Sequence, residues 1–407
     1  MLDNEDLVCM KNKFLVIVFL AIVAASFLIL SQAIKKNLHT RFFSSVVKIP
    51  HPFGIGANQL AGYEIVKTWD LTIATHYARA FAIDGRDNMY VSEDYEGEGL
   101  SSRILKYDKE GNFLNWFGKG NKTFGWHPPD SKESSLVGHG DGEFYRAFKI
   151  AFDKKDNMYV VDRGYYDLNQ IEHPGNERIQ EFDKDGNFLG WFGKGNKTIG
   201  WHKPGSGEIS MPGEEPGALN QPTCIFIYND DLLVTSWELN KLDKLDLTTG
   251  RLKEWLGKAK DGSYGWHPPD KKPVAAPFFG SETGAFNNPF DCKMDSKERL
   301  YVLSYDSDRV IAIFDYKTGK YLDGLFHSQG YKPANIILDK FDNLIMSDNY
   351  QGSVRFLNRD KKQVASLQLG PGGDYFAVGD FAFDSRGYFY FLEKIKNKIY
   401  KLKLHYE

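Results

Sequence analysis

Cysteine is scarce in this chain: Cys9, Cys224 and Cys292 are the only three in 407 residues. That excludes a disulfide-stapled scaffold and a four-thiolate zinc site. Charge of one sign is also lacking, with 51 Lys and Arg against 54 Asp and Glu, a net charge of −3. Such a balance supplies no field for gripping nucleic acid or an anionic membrane surface. No P-loop, dinucleotide fingerprint or nucleophile elbow occurs. Disorder of the whole chain is excluded too, because 42% of it is hydrophobic and only 26% charged. What is abundant is glycine (39) and aromatic side chains (15%). Together they favour a turn-rich β protein over a helical one.

Phe14 to Leu30 is an uninterrupted run of 17 uncharged residues. A helix needs about 20 apolar residues to cross a bilayer, and Ser31 to Ile34 can complete the span before Lys35 and Lys36. Ser31-Gln32-Ala33 also fits a small-x-small cleavage site, but the run is long for a signal peptide. The expectation is an uncleaved single-pass anchor. Lys and Arg counted on the two flanks place the C-terminal side in the cytoplasm. A start at Met10 would instead give an export-type n-region, and the expected body is extracytoplasmic. Residues 1–34 are then tail and anchor, 35–61 a linker, and 62–407 the folded body.

The body repeats. An apolar strand ending in Asp, a turn and a second apolar strand recur at Phe81, Ile150, Ile225, Cys292, Ile336 and Phe381. The anchor column is Asp84, Asp153, Tyr228, Asp295, Asp339 and Asp384, at spacings of 69, 75, 67, 44 and 45. A base period near 45 fits a four-stranded propeller blade. Two further strands follow each hairpin, as in ERIQEFDKDGNFLGWFG from Glu177, with a hairpin turn between them. The sixth copy has only three strands, and GYEIVKTWDL from Gly62 reads like the missing outer one. An N-terminal strand would complete the last blade and leave no open sheet edge.

These units resemble NHL repeats, on the strength of the Asp column, of Pro222, Pro289 and Pro333 six residues before their anchors, and of the ERIQEFDKDGNFL stretch. Ala78, Ala147 and Val378 replace that Pro in the other blades. The resemblance implies an all-β, six-bladed NHL-type propeller, here preceded by one transmembrane helix. It implies little about function, because propellers host binding modules and enzymes alike.

Within a blade the A–B and C–D turns share one face, and the B–C loops and D–A crossovers share the other. The extra residues lie at 119–143, 194–221 and 258–288, and the long B–C loops at 93–102 and 162–176, all on the second face above blades one to three. Loops on a rigid scaffold are where binding concentrates. Three crossovers repeat a Gly-Trp-His motif read as loop. Trp126, Trp201 and Trp266, with Tyr165 and Tyr166, are candidate contact residues for a protein, carbohydrate or small-molecule partner. His127, His202 and His267 are candidate zinc ligands, against a structural Trp-His stack in each loop. NHL-like propellers include an amidating lyase with histidine-bound zinc, but its motifs do not match these loops.

The ends of the B strands read Glu93, Asp162, Ser236, Ser304, Asp348 and Glu393, a candidate Ca²⁺ column of the kind propeller hydrolases use, against plain turn capping. Arg79, Arg146, Lys149, Asp291 and Asp380 stand at the axis as candidate polar-ligand contacts. Cys224 and Cys292 fall in neighbouring A strands at non-matching positions, so no disulfide is expected. Asn121 and Asn196 open glycosylation sequons. The expected function is a non-enzymatic binding scaffold. The alternative is a metal-dependent lyase or hydrolase at the axis, with Zn or Ca.

Overall fold

The structure is a computed structural model. It describes residues 59–71, 77–95, 101–166, 172–173, 176–274, 285, 287–304, 310–326, 333–348, 352–369 and 378–407. The chain divides into two units, Met1–Val47 and Lys48–Glu407. The apolar run, the cleavage-like triplet and most of the linker lie outside the described residues. Among the described residues no helix is long and apolar enough to cross a membrane.

The described residues form a six-bladed β-propeller. Blade one has strands A to D at Tyr77–Ile83, Met89–Tyr95, Ser101–Tyr107 and Phe113–Lys119. Each innermost A strand touches that of the next blade, and blade six meets blade one again. The strand Leu60–Asp70 pairs antiparallel with Lys398–Tyr406, with Tyr63 opposite Leu404 and Trp69 opposite Ile399. Blade six is thus completed by the N-terminal strand, and the ring is closed without an open edge there.

Six apolar clusters fill six blade junctions. One joins Ala80, Tyr90, Ile104 and Phe117 of blade one to Ile150, Met158, Val160 and Phe182 of blade two. Another joins Phe81 and Trp116 of blade one to Tyr390 and Ile399 of blade six. Blades stack face to face, so their middle strands are apolar on both faces. Met158–Asp162 is buried at every residue for this reason.

The anchor Asp sets the A–B turn. Asp84 Oδ1 accepts the N–H groups of Arg86 and Asn88, both at 2.9 Å, and Oδ2 accepts Asn88 Nδ2 and Tyr90 Oη. A short carboxylate that takes the N–H two residues on is the physical reason Asp recurs there. Three residues further, Asp87, Asp156, Glu298 and Asp342 all have φ between 57° and 66°. Three of these acids stitch neighbouring blades: Asp156 accepts Gly85 N–H, Asp342 accepts Ser296 N–H, and Asp87 accepts Ser385 N–H across the closure.

The Gly-Trp-His segments are not loops. Phe124–His127, Ile199–His202 and Tyr264–His267 are fifth strands on the outer edges of blades one to three. In each blade the His lies opposite a D-strand Trp: Trp116 with His127, Trp191 with His202, Trp255 with His267. The motif reads as loop because glycine interrupts the alternation. Its backbone φ of 109° to 128° at Gly125, Gly200 and Gly265 is one a glycine adopts without strain.

Candidate functional site

The three histidines are buried in separate blades. The His127 and His202 rings stack on Trp116 and Trp191 at 3.7 Å, and His267 lies 4.5 Å from Trp255. Each Nε2 meets a D-strand carbonyl, of Gly118 at 3.2 Å, Gly193 at 3.2 Å and Gly257 at 3.1 Å. Those bonds place the ring proton on Nε2. Burial pulls the pKa of His202 and His267 below the ordinary imidazole value. The zinc expectation needed the three rings to converge, and the structure keeps each on its own Trp. Among the described residues no three His, Cys, Asp or Glu groups gather as a metal site.

The three tryptophans lie in blade-to-blade seams. Trp126 packs on Gly186, in the C–D turn of blade two, and Trp201 on Gly250 of blade three. Trp266 packs on Gly319 of blade four, and its Nε1 donates to Tyr316 O at 2.7 Å. Trp69 of the closing strand does the same to Gly111 of blade one, with Nε1 donating to Glu110 O at 2.6 Å. A Cβ at Gly111 or Gly186 would overlap the indole. Buried Lys244 places its Nζ 3.9 Å over the Trp266 ring. The Trp residues are therefore brought into equivalent seams, not onto one shared surface. The side chains of Tyr165 and Tyr166 lie outside the described residues.

At the axis the expected charged residues do meet. Lys149 Nζ donates to Asp380 Oδ1 at 3.0 Å and Asn335 Oδ1 at 3.1 Å, and lies 3.6 Å from Asp291 Oδ1. Burial pulls the Lys149 pKa down, yet Asp291 and Asp380 outweigh it and leave the pKa above the ordinary lysine value. Asp94 bridges Arg79 and Arg146, accepting Nε from each at 2.7 Å. The remaining axial cavity is about 20 Å³, walled by Arg79, Lys149, Thr223, Phe290, Asn335 and Asp380, one from each blade. That is space for about one water molecule. Two other cations at this mouth are suppressed by burial, Lys394 to about 7 and Arg163 to about 9. Arg163 lies 3.9 Å over the Phe148 ring. Glu177, buried where blade two meets blade three, accepts N–H from Gly164 and Gln221 at 2.9 and 2.8 Å. Burial pushes its pKa up to about 7.

The acidic column at the B-strand ends is engaged within the blades. Glu93 pairs with Arg103, Asp348 with Arg355 at 2.8 Å, and Glu393 with Lys396 at 2.7 Å and Tyr400 Oη at 2.7 Å. Asp162 accepts Tyr145 and Arg146 N–H, Asn176 and Gln180 amides, and Arg178 Nε at 3.3 Å. These carboxylates hold A-strand starts and C strands in place, which is the turn-capping role extended to ion pairs.

The space the sequence did not reveal is a groove of about 500 Å³ between the crossovers of blades two and three. Lys194, Glu215, Lys241, Lys260 and Lys272 line it, with Trp255 in its wall. Lys194 Nζ pairs with Glu215 at 2.6 Å, and Trp255 Nε1 donates to Lys271 O at 3.0 Å. Under Lys241 lies Asp243, fully buried and paired with it at 2.9 Å. The crossover residues 213–216 and 269–273 line it together with the strand residues Lys194, Lys241 and Trp255, so the groove lies on the crossover side. Pockets of this size are typical of small-molecule sites. No single motif marks it, because its walls come from segments about 80 residues apart.

Cys224 and Cys292 are free thiols in the structure, as expected, but they are neighbours. Their sulfurs lie 3.0 Å apart. Successive strand residues point to opposite faces, so matching positions in adjacent blades would point the same way round the ring. The offset of one position is what turns Cys224 and Cys292 towards each other.

No family model matches this sequence, and no curated protein matches it. Solved structures do. A virginiamycin B lyase from Staphylococcus aureus is 10% identical at a TM-score of 0.48, over 84% of this chain and all of that one. The WD40 propeller domain of Doa1 is 11% identical at 0.46, over 84% and 97%. A protein of unknown function from Bacteroides thetaiotaomicron is 13% identical at 0.48, over 83% and 72%. At these identities and scores the likeness is one of fold, and no function passes to this chain.

Proposed function

We propose that this chain is an NHL-type binding scaffold, anchored in a membrane by the helix of residues 14–34 with its propeller outside the cytoplasm. It holds a protein or carbohydrate-like partner on the crossover face above blades one to three. The groove between blades two and three carries the reading. It is a large recess built in part from the segments that exceed the blade period. Its mixed lysine and carboxylate lining, with an aromatic in the wall, suits a polar chain better than an apolar one. The axis supports the same reading, since Lys149, Asp291 and Asp380 are committed to one another there. The uncharged run from Phe14 supports the anchor.

Two experiments test this. Lys260→Glu with Lys272→Glu reverses two exposed groove charges and should leave melting unchanged while weakening capture of the partner. Unchanged capture would move the site elsewhere. Full-length protein should stay with membranes through salt and carbonate washes, and a chain beginning at Lys48 should be released. Release of both would remove the anchor.

A further inference from the structure

Cys224 lies on the innermost strand of blade three, Pro222–Tyr228, and Cys292 on that of blade four, Pro289–Met294. Both are fully buried in the cluster that fills the junction of these blades. Besides the 3.0 Å approach of the sulfurs, Cys292 N–H donates to Cys224 Sγ at 3.2 Å. We propose that Cys224 and Cys292 form a disulfide that cross-links blades three and four beside the axis, made by exchange with a small oxidised disulfide such as oxidised glutathione. The separation is inside van der Waals contact and about 1 Å beyond a bonded S–S distance.

The chemistry balances as two exchanges. The Cys224 thiolate attacks one sulfur of glutathione disulfide, and a glutathione thiolate leaves with the electron pair. The Cys292 thiolate then attacks Cys224 sulfur and displaces the second glutathione thiolate. Two protein thiols lose two electrons and two protons, and one glutathione disulfide becomes two glutathione thiols. In the closed ring the Cys224 thiol is a poor nucleophile, because burial pushes its pKa up, with Cys292 and Asp291 adding to the shift. Exchange therefore belongs to folding, before blades three and four close. Afterwards the surrounding core shields the bond from reductant.

The position has a structural consequence. Asp291 Oδ1 is 3.2 Å from Cys224 Sγ and accepts Lys293 Nζ at 2.7 Å. Its other oxygen accepts the N–H of Ile336 in blade five at 2.9 Å. A bond next to Asp291 would fix the strand from which the axial ion pairs are hung. It would also stand half-way round the ring from the closing strand, which is held by hydrogen bonds and side-chain packing.

The test uses the full-length protein in detergent, reduced, unfolded and refolded in a glutathione redox buffer. Free thiols are alkylated in denaturant without reductant, and the digest is read by mass spectrometry. The expected result is a peptide pair joined through Cys224 and Cys292, two hydrogens lighter than the separate peptides, with Cys9 outside it. Reductant added during unfolding should lower the melting midpoint by a few degrees, and Cys292→Ser should melt the same with and without reductant. Folded protein whose Cys224 and Cys292 are each recovered alkylated, or each carrying glutathione, would overturn the proposal. The wild-type digest decides the matter even if the variant does not fold.

Discussion

Blades one to three and blades four to six start from the same repeat and are finished differently. The first three carry a fifth strand, a Trp-His stack and long crossovers; among the described residues the last three have four strands each. The difference has structural consequences at two levels. Within the ring, the fifth strand packs a tryptophan residue on the C–D turn of the next blade, by its indole at Gly186 and Gly319 and by its backbone and Cβ at Gly250. Blade six achieves the same contact with a borrowed strand, through Trp69 and Gly111. Outside the ring, the crossovers that return from the fifth strands of blades two and three build the groove. A repeated motif that reads as a ligand site thus packs the blade seams and borders a groove with no motif of its own.

The contrast breaks most completely at blade six. Removing residues 60–71 takes away the strand that pairs with Lys398–Tyr406 and the Trp69 wedge together. The expected outcome is aggregation or loss of a single cooperative transition, read by size-exclusion and thermal melting. A soluble variant with unchanged melting would show that blade six does not need its borrowed strand.

The next largest effect sharpens the role of the stack. Trp191 and Trp255 are at most 1% exposed under His202 and His267. Either one changed to Ala should cost about 3–5 kcal/mol in denaturant melts, from lost burial and the cavity left behind. A loss below about 1 kcal/mol would mean that the fifth strands are held by their hydrogen bonds alone.

Glu177 gives a pH test of the junction between blades two and three. Its pKa is raised by burial from 4.5 to about 7 in the folded chain. The folded state then binds more protons than the unfolded state across that window. Its contribution is intact below about pH 4.5 and is lost as pH rises through 7, on the order of 3 kcal/mol in all. Glu177→Gln should flatten the stability profile between these limits. An unchanged slope would assign it to other groups.

The smallest effect separates metal from packing. His127→Ala, His202→Ala and His267→Ala each lose one stack and one hydrogen bond to a glycine carbonyl, about 1–2 kcal/mol. Metal content measured on the same purified variants should match that of the unaltered protein. A common loss of bound zinc from all three would restore the reading of these residues as ligands.

The fold was legible because its signals are local. The Asp column, the Asp-Gly and Glu-Gly turns and the stray outer strand each reveal themselves within about ten residues, and all found their places in the ring. The site was less legible because its signals cross blades. Arg79, Arg146, Lys149, Asp291 and Asp380 were placed at the axis by strand position, but that Asp94 would bridge the two arginines depends on a contact 52 residues apart. The Trp wedges depend on glycines of the following blade. The cysteines are free thiols, as expected, but their proximity depends on side-chain alternation, which makes an offset of one position the condition for contact between neighbouring blades. The stitch from Asp156 to Gly85 had a visible acidic column at Asp87, Asp156, Glu298 and Asp342, and could have been found by aligning the turns one residue at a time.

The central claim is that the crossover face holds the partner while the turn face does not. It is tested most directly by placing a photo-crosslinking side chain at position 272, in the groove, and separately at position 317, in the C–D turn of blade four on the opposite face. Both lysines are exposed. Irradiated in the cells that produce it, the full-length protein carrying the probe at 272 should give a discrete heavier species, absent with the probe at 317. The same species from 317 alone, or equally from both, would contradict the claim.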